Sequence, residues 1–269
     1  MLGGRDLFRP VQGTWLGVTR DGRIAVLTNY REETSATSTA AVSRGEMVNA
    51  FLAVNEKDVA DIEVFVKKLI SGKAARGSGG FSLVCGRIGQ PLAVVSNRMQ
   101  EEGDVRWIGR DDEKETIGLS NAAFGDHTWP KVATGEDKME ALVKQWLIKN
   151  SARDEIMESL FDLLTLDTLP IPKKGETWEA SVKQLRNSIF IPKLTPLEDS
   201  AQTIASAQSE AKVVKDKATS GAYGTQKQTV VIVDQAGHVY FTEKTLYDGD
   251  GQDIQHRPDS IRAFEYQIS

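Results

Sequence analysis

The stretch Gly13-Thr14-Trp15-Leu16-Gly17-Val18-Thr19-Arg20-Asp21-Gly22-Arg23-Ile24-Ala25-Val26-Leu27-Thr28-Asn29-Tyr30-Arg31-Glu32 constrains the fold more than any other part of the chain. Two β-rich runs, residues 14–19 and 23–29, flank Arg20-Asp21-Gly22, and an Asp-Gly pair supplies the positive φ that a tight hairpin turn demands. The chain is therefore expected to open on a β-hairpin that starts shortly after Met1.

A chain of 269 residues, 40% of them hydrophobic, can bury one substantial core. Strand-like runs occur along its whole length, so a single domain over residues 1–269 is expected. The net charge of −5, with basic residues scattered among acids, leaves no concentrated basic face for phosphates, which excludes nucleic acid as a partner. One cysteine, Cys85, rules out an intrachain disulfide and a four-cysteine zinc site, and it suits a reducing compartment. No apolar run approaches the roughly 20 residues of a membrane span. Met1-Leu2-Gly3-Gly4-Arg5-Asp6 lacks the apolar centre of a signal peptide. A soluble cytoplasmic protein is the expectation; Golgi or mitochondrial association would need another targeting route or an upstream segment.

Beyond the hairpin, residues 33–41 read as a Thr/Ser/Ala-rich loop. Ser43-Arg44-Gly45-Glu46 is a capping box ahead of Met47, Val48, Phe51 and Leu52, which predicts a helix start. A second helix is predicted over residues 58–69, where Val59, Ile62, Phe65, Val66 and Leu69 form a stripe at three-and-four spacing. Residues 81–85, 91–96 and 105–108 read as a meander of short strands, and Thr116 to Asn121 as a further extended piece. Two more helical stripes follow, Met139, Leu142, Val143, Trp146 and Leu147, then Ile156, Met157, Leu160, Phe161 and Leu164; both are expected to be core. Pro170, Pro172 and Pro192 bracket an irregular region. Residues 195–222, rich in Ser, Ala, Thr and Lys, are expected to be a mobile insertion. The last elements are a hairpin, residues 229–233 and 238–243 around Asp234-Gln235-Ala236-Gly237, and a strand over residues 261–268. The order of strands, helices, strands, helices and strands suits α+β layers with mostly antiparallel sheets.

Few residues stand out as reactive. Cys85 ends a β-rich run with no basic neighbour to lower its pKa and reads as a buried structural thiol. His127, His238 and His256 lack ligand-pair spacing, so no metal is assigned. His238 reads as a hairpin residue, and His127, beside Trp129-Pro130, is the best candidate for a haem ligand. The acidic runs Glu101-Glu102 and Asp111-Asp112-Glu113 read as solvated turns.

Five segments in order, Gly13-Thr14-Trp15-Leu16-Gly17, Leu27-Thr28-Asn29-Tyr30-Arg31-Glu32, Ser43-Arg44-Gly45-Glu46, Gly118-Leu119-Ser120-Asn121 and Tyr223-Gly224-Thr225-Gln226-Lys227-Gln228-Thr229, closely resemble the Transport and Golgi Organisation 2 family, also called the NRDE family. Ser188-Ile189-Phe190-Ile191-Pro192 resembles its fungal branch. The resemblance implies an N-terminal-nucleophile hydrolase-like fold, a four-layer αββα sandwich. It also implies a role in Golgi organisation, protein secretion, or intracellular haem or lipid handling. Implied partners are a hydrophobic small molecule or haem, the latter as transported ligand and not resident cofactor, and secretory-pathway proteins.

A hydrolase of that fold needs Cys, Ser or Thr as its first residue, with the free α-amine as base. Family members typically start Met-Cys and carry Asn-Arg-Asp-Glu soon after, whereas this sequence has Leu2 and only Gly4-Arg5-Asp6. The expectation is a non-catalytic protein, N-terminally incomplete, with an unpaired sheet edge beside the Trp15 hairpin. The alternative is an amidase acting on C–N bonds, for a natural chain that extends upstream to a Cys nucleophile. By the same resemblance, Asn29 and Asn121 are vestigial oxyanion donors and, with Gln226 and His127, candidate ligand-binding residues; the commoner role of such asparagines is to satisfy turn backbones. Gln226 stands where animal members carry Arg.

Overall fold

Asp21 and Gly22 turn the chain as the sequence predicts. In a computed structural model of the chain, Gly22 has φ +79°. Thr19 closes the turn by accepting the Arg23 N–H on its hydroxyl at 2.9 Å and donating its own N–H to the Arg23 carbonyl at 2.9 Å. The structure describes residues 1–7, 10–29, 43–53, 62–72, 80–97, 99, 101–110, 114–171, 178–194 and 223–269. The loop expected at 33–41 and the insertion expected at 195–222 lie outside them. The described residues form a mixed α/β fold in which the strand pairings are antiparallel wherever the register is defined. They group into two compact units: Met1–Thr128 with Val233–His238 and Tyr266–Ser269, and Trp129–Ile232 with Val239–Glu265.

In the first unit, β1 (Leu2–Gly3), β2 (Leu16–Val18), β3 (Arg23–Asn29), β4 (Phe81–Arg87), β5 (Leu92–Ser96) and β6 (Arg106–Ile108) make a six-stranded meander in chain order. The edge beside the Trp15 hairpin, expected to be bare, carries β1, with Leu2 opposite Val18 and Gly3 opposite Gly17. Because side chains alternate across a strand, one face of β3–β5 presents Ala25, Leu27, Phe81, Leu83, Cys85, Ala93 and Val95. Helices α1 (Arg44–Ala53) and α2 (Ile62–Ser71) cover that face. Met47, Val48, Phe51 and Leu52 from α1 and Val66 and Ile70 from α2 complete the core. The predicted start of α2 at residue 58 lies outside the described residues. Residues 116–121, expected to be an extended piece, are assigned no strand.

Two glycines let α1 sit directly on the hairpin. A Cβ on Gly45 would lie 3.0 Å from the Gly13 Cα, and one on Gly13 would lie 2.8 Å from the Gly45 Cα, so the two backbones touch where side chains would ordinarily intervene. At the far end of α1, Arg23 donates from Nη1 to the Phe51 carbonyl at 3.1 Å, while its Nε pairs with Asp21 Oδ2 at 2.7 Å. Arg87 Nη1 reaches the Asp21 carbonyl at 2.6 Å, and Tyr266 donates its hydroxyl to the Thr19 carbonyl at 3.1 Å. Burial works against the Asp21 carboxylate, but hydrogen bonds from Thr19 and Arg23 and the Arg23 charge prevail and hold its pKa below the ordinary value.

In the second unit, α3 (Pro130–Lys149), α4 (Arg153–Leu164) and α5 (Trp178–Gln184) precede a three-stranded sheet ordered β7 (Lys227–Val233), β8 (His238–Thr245) and β9 (Ile261–Gln267). Pro130 opens α3, where its missing N–H costs nothing, and Asn150 closes it in the left-handed conformation at φ +50°. The stripe expected to be core along α3 is only half-covered. No residue of α3 is buried, and Leu147 and Ile148 are 78% and 85% exposed. Among the described residues α3 packs chiefly on α4 and the turn Leu185–Asn187, and this leaves its apolar side half-covered. On α4 the stripe buries only Phe161, with Lys244 Nζ 3.9 Å from its ring centre. The segment Tyr223-Gly224-Thr225 docks on Ile191-Pro192. Thr225 donates its N–H to the Ile191 carbonyl at 2.8 Å and accepts the Ile191 N–H on its hydroxyl at 2.9 Å, and a Cβ on Gly224 would lie 3.0 Å from the Pro192 carbonyl oxygen.

Candidate functional site

The candidate site lies at the end of β3 and the start of β4, where the antiparallel register sets Asn29 opposite Phe81 and Thr28 opposite Ser82. Asn121, 92 residues further along the chain, donates its Nδ2 amide to the Asn29 main-chain carbonyl at 3.1 Å. Two asparagines singled out by sequence are thus brought together, although Asn121 follows a strandless segment instead of ending a strand. The Asn29 Oδ1 is buried and has no hydrogen-bond partner among the described residues, and the same holds for Thr28 Oγ1 and Ser82 Oγ. On the neighbouring strand Ser96 stands opposite Ser82, and Asn97 accepts the Phe81 N–H on Oδ1 at 3.3 Å.

This end of the sheet therefore holds the Asn29 amide on the face that carries Leu27 and Phe81 and the Thr28 and Ser82 hydroxyls on the other. None of these groups has a base beside it in the register. Cys85 is in the same sheet but on the helix-covered face, fully buried, where loss of hydration pushes its thiol up to about 12, so no thiolate forms near neutrality.

The other sequence candidates are Gln226, His127 and His238. Gln226 belongs to the second unit, where it donates from Nε2 to the Asp248 carbonyl at 3.3 Å and accepts the Leu246 N–H at 2.8 Å. His127 is exposed, and its backbone N–H bonds the Gly125 carbonyl at 3.1 Å. His238 is a hairpin residue, as expected, its Nδ1 3.3 Å from Asp234 Oδ2. The His238 N–H is the main cause of the depressed Asp234 pKa. Among the described residues no three His, Cys, Asp or Glu side chains converge as metal ligands, and no helix is long and apolar enough to cross a membrane.

Of the quoted segments, the Gly-Thr-Trp-Leu-Gly and Ser-Arg-Gly-Glu runs supply the Gly13–Gly45 contact, and the Tyr-Gly-Thr run supplies the docking on Ile191-Pro192. A family model described as Transport and Golgi organisation 2 matches residues 1–248. The chain belongs to that family. It is 26% identical over 274 residues to a human Transport and Golgi organization protein 2 homolog, an alignment covering 100% of this chain and 83% of that protein. The mouse homolog is 28% identical over 247 residues, covering 88% of this chain and 74% of the relative. An uncharacterized protein of Saccharomyces cerevisiae is 24% identical over 276 residues, covering 97% and 83%.

Within this Transport and Golgi organisation 2 member, sequence reasoning reached Asn29 and Asn121 but missed Thr28 and Ser82. The signal was available in outline. In Leu27-Thr28-Asn29 and Phe81-Ser82-Leu83 each hydroxyl alternates with core residues and so faces the opposite side of its strand. Which strand lies beside which, and hence that the two hydroxyls are neighbours, is a property of the pairing alone.

Proposed function

We propose that the protein is a non-catalytic factor in Golgi organisation or protein secretion that handles a hydrophobic small molecule, of the haem or lipid kind, at the Asn29–Asn121 end of its first sheet. The observation that carries this reading is the 3.1 Å bond from the Asn121 amide to the Asn29 carbonyl. An oxyanion donor must be aimed at the position where charge develops, free to bond it at about 2.7–3.1 Å. Here one N–H of the Asn121 amide is taken up by the Asn29 main chain, and the thiol of the same sheet points to the helix side with its pKa raised. The Golgi and secretory part of the reading rests on the family and on the printed names of the human and mouse relatives.

Two measurements test it together. Cells depleted of their own family member regain secretion of a reporter when this chain is supplied. The purified protein gives no turnover, above buffer, of a panel of chromogenic amides and thioesters. Turnover that disappears in Asn29→Ala or Asn121→Ala would overturn the reading in favour of an amidase acting on C–N bonds.

A further inference from the structure

Helices α3 and α4 are joined by residues 150–152, and two unlike surfaces meet at that turn. Asn150 and Ser151 both donate their N–H groups to the Trp146 carbonyl, which sets the last turn of α3 close to the first turn of α4. On the α3 side Leu147 and Ile148 are adjacent and stand largely in solvent, while Leu142, Val143 and Trp146, on the other side of the helix, are half-buried. On the α4 side Glu155, Glu158 and Asp162, three and four residues apart, form one exposed ridge, and Phe161 is buried beneath. None of these three carboxylates makes an ion pair among the described residues. Of the cations near the turn, Lys144 is paired with Glu140 at 3.4 Å and Arg153 with Asp154 at 3.1 Å. That leaves Lys149 against the three carboxylates, so the surface around the turn is negative as well as apolar.

At a rise of about 1.5 Å per residue, the three carboxylates advance along α4 by steps of about 4.5 and 6 Å. Side chains on one face of a second helix advance by the same steps, whereas those on one face of a strand recur about every 6.8 Å and fall out of register. A helix lying beside α4 therefore sets one Lys or Arg opposite each carboxylate. We infer that this surface docks a basic amphipathic helix of a partner protein. The apolar side of that helix covers Leu147 and Ile148, and cations at three-and-four spacing along its border face Glu155, Glu158 and Asp162. A membrane fits less well, because anionic lipid headgroups would meet the same carboxylates. A second copy related by a two-fold axis sets the ridge against itself, carboxylate to carboxylate. Docking here belongs to the second unit and is independent of what the Asn29–Asn121 end of the first sheet binds.

The test is a fluorescence-anisotropy titration of the full chain into a labelled peptide of about 18 residues, long enough to hold a helix, built from Leu, Ala and Lys with Leu on one side and Lys along its border. The comparator has the same composition in an order that removes the apolar side. Saturable binding of the amphipathic peptide is expected, tighter than that of the comparator and weakened by salt. Leu147→Ser with Ile148→Ser should weaken it at least about tenfold. The shape-conserving set Glu155→Gln, Glu158→Gln and Asp162→Asn should weaken it about tenfold, while Glu46→Gln, Asp250→Asn and Asp259→Asn, which remove the same charge elsewhere, leave it unchanged. Circular dichroism checks that each variant is folded, and every position changed is exposed. Absence of saturable binding, equal affinity for the comparator, or wild-type affinity in either the apolar or the ridge variant would overturn the site. So would binding to phosphatidylcholine vesicles, or a dimer in sedimentation, that is lost in the Leu147→Ser, Ile148→Ser variant, since a lipid surface or a second copy would then be the occupant.

Discussion

Helices α1 and α3 carry apolar stripes of the same kind, yet α1 buries five of its ten residues and the 20 residues of α3 include none that is buried. The difference lies in what each helix meets. At α1 the Gly13–Gly45 contact brings two backbones together, so Val48, Phe51 and Leu52 reach the sheet without a gap. At α3 the corresponding small residue, Gly135, has only the Ile189 Cδ1 as a neighbour, at 3.6 Å from where a Cβ would stand, which is ordinary contact. A stripe marks the side of a helix that can be buried; the neighbour decides how far it is.

The comparison breaks if the two helices respond alike to mutation. Phe51→Ala removes a side chain that is 1% exposed and packs at 4.9 Å, ring centre to ring centre, against Phe65. A loss of about 3–5 kcal/mol is expected, read from urea unfolding. A loss below about 1 kcal/mol would mean that α1 does not form the core described.

The polar tie at the end of α1 should matter less, and its pH dependence sharpens the picture. The Asp21 pKa is depressed in the fold, so its contribution is present above the unfolded carboxylate value near pH 4 and is lost as pH falls through the lower folded value. The wild type is expected to melt above Asp21→Asn at pH 7, with the gap closing below about pH 4. A gap that widens in acid would have the wrong sign for this ion pair.

The smallest effect is expected on α3. The double change Leu147→Ser and Ile148→Ser, at residues 78% and 85% exposed, should shift stability by no more than about 0.5 kcal/mol per site. A cost comparable with Phe51→Ala would show a buried surface there and erase the contrast.

Much of the first unit was legible because its signals are local. Asp21-Gly22 sets the turn, alternation in residues 23–29 and 81–87 sets the strand faces, and Ser43 marks the helix that starts at Arg44. The same held for Gly237, at φ +82°, in the last hairpin. The misreadings were non-local. Residues 116–121 have strand-like composition but are assigned no strand, and β1 is too short to register as a strand until it is seen paired with β2. At the candidate site, Asn29 and Asn121 were visible as residue types, while the bond between them spans 92 residues.

The sequence alone determined turn positions, strand phase, helix phase and family, because each depends on φ preferences, side-chain period or residue identity within a few positions. Tertiary structure decided which apolar faces find a partner, that Thr28 and Ser82 stand side by side, and that the Asn121 amide reaches Asn29. Burial and hydrogen bonding belong to pairs of groups, and here the pairs are set by chain segments too far apart in sequence for local preferences to encode.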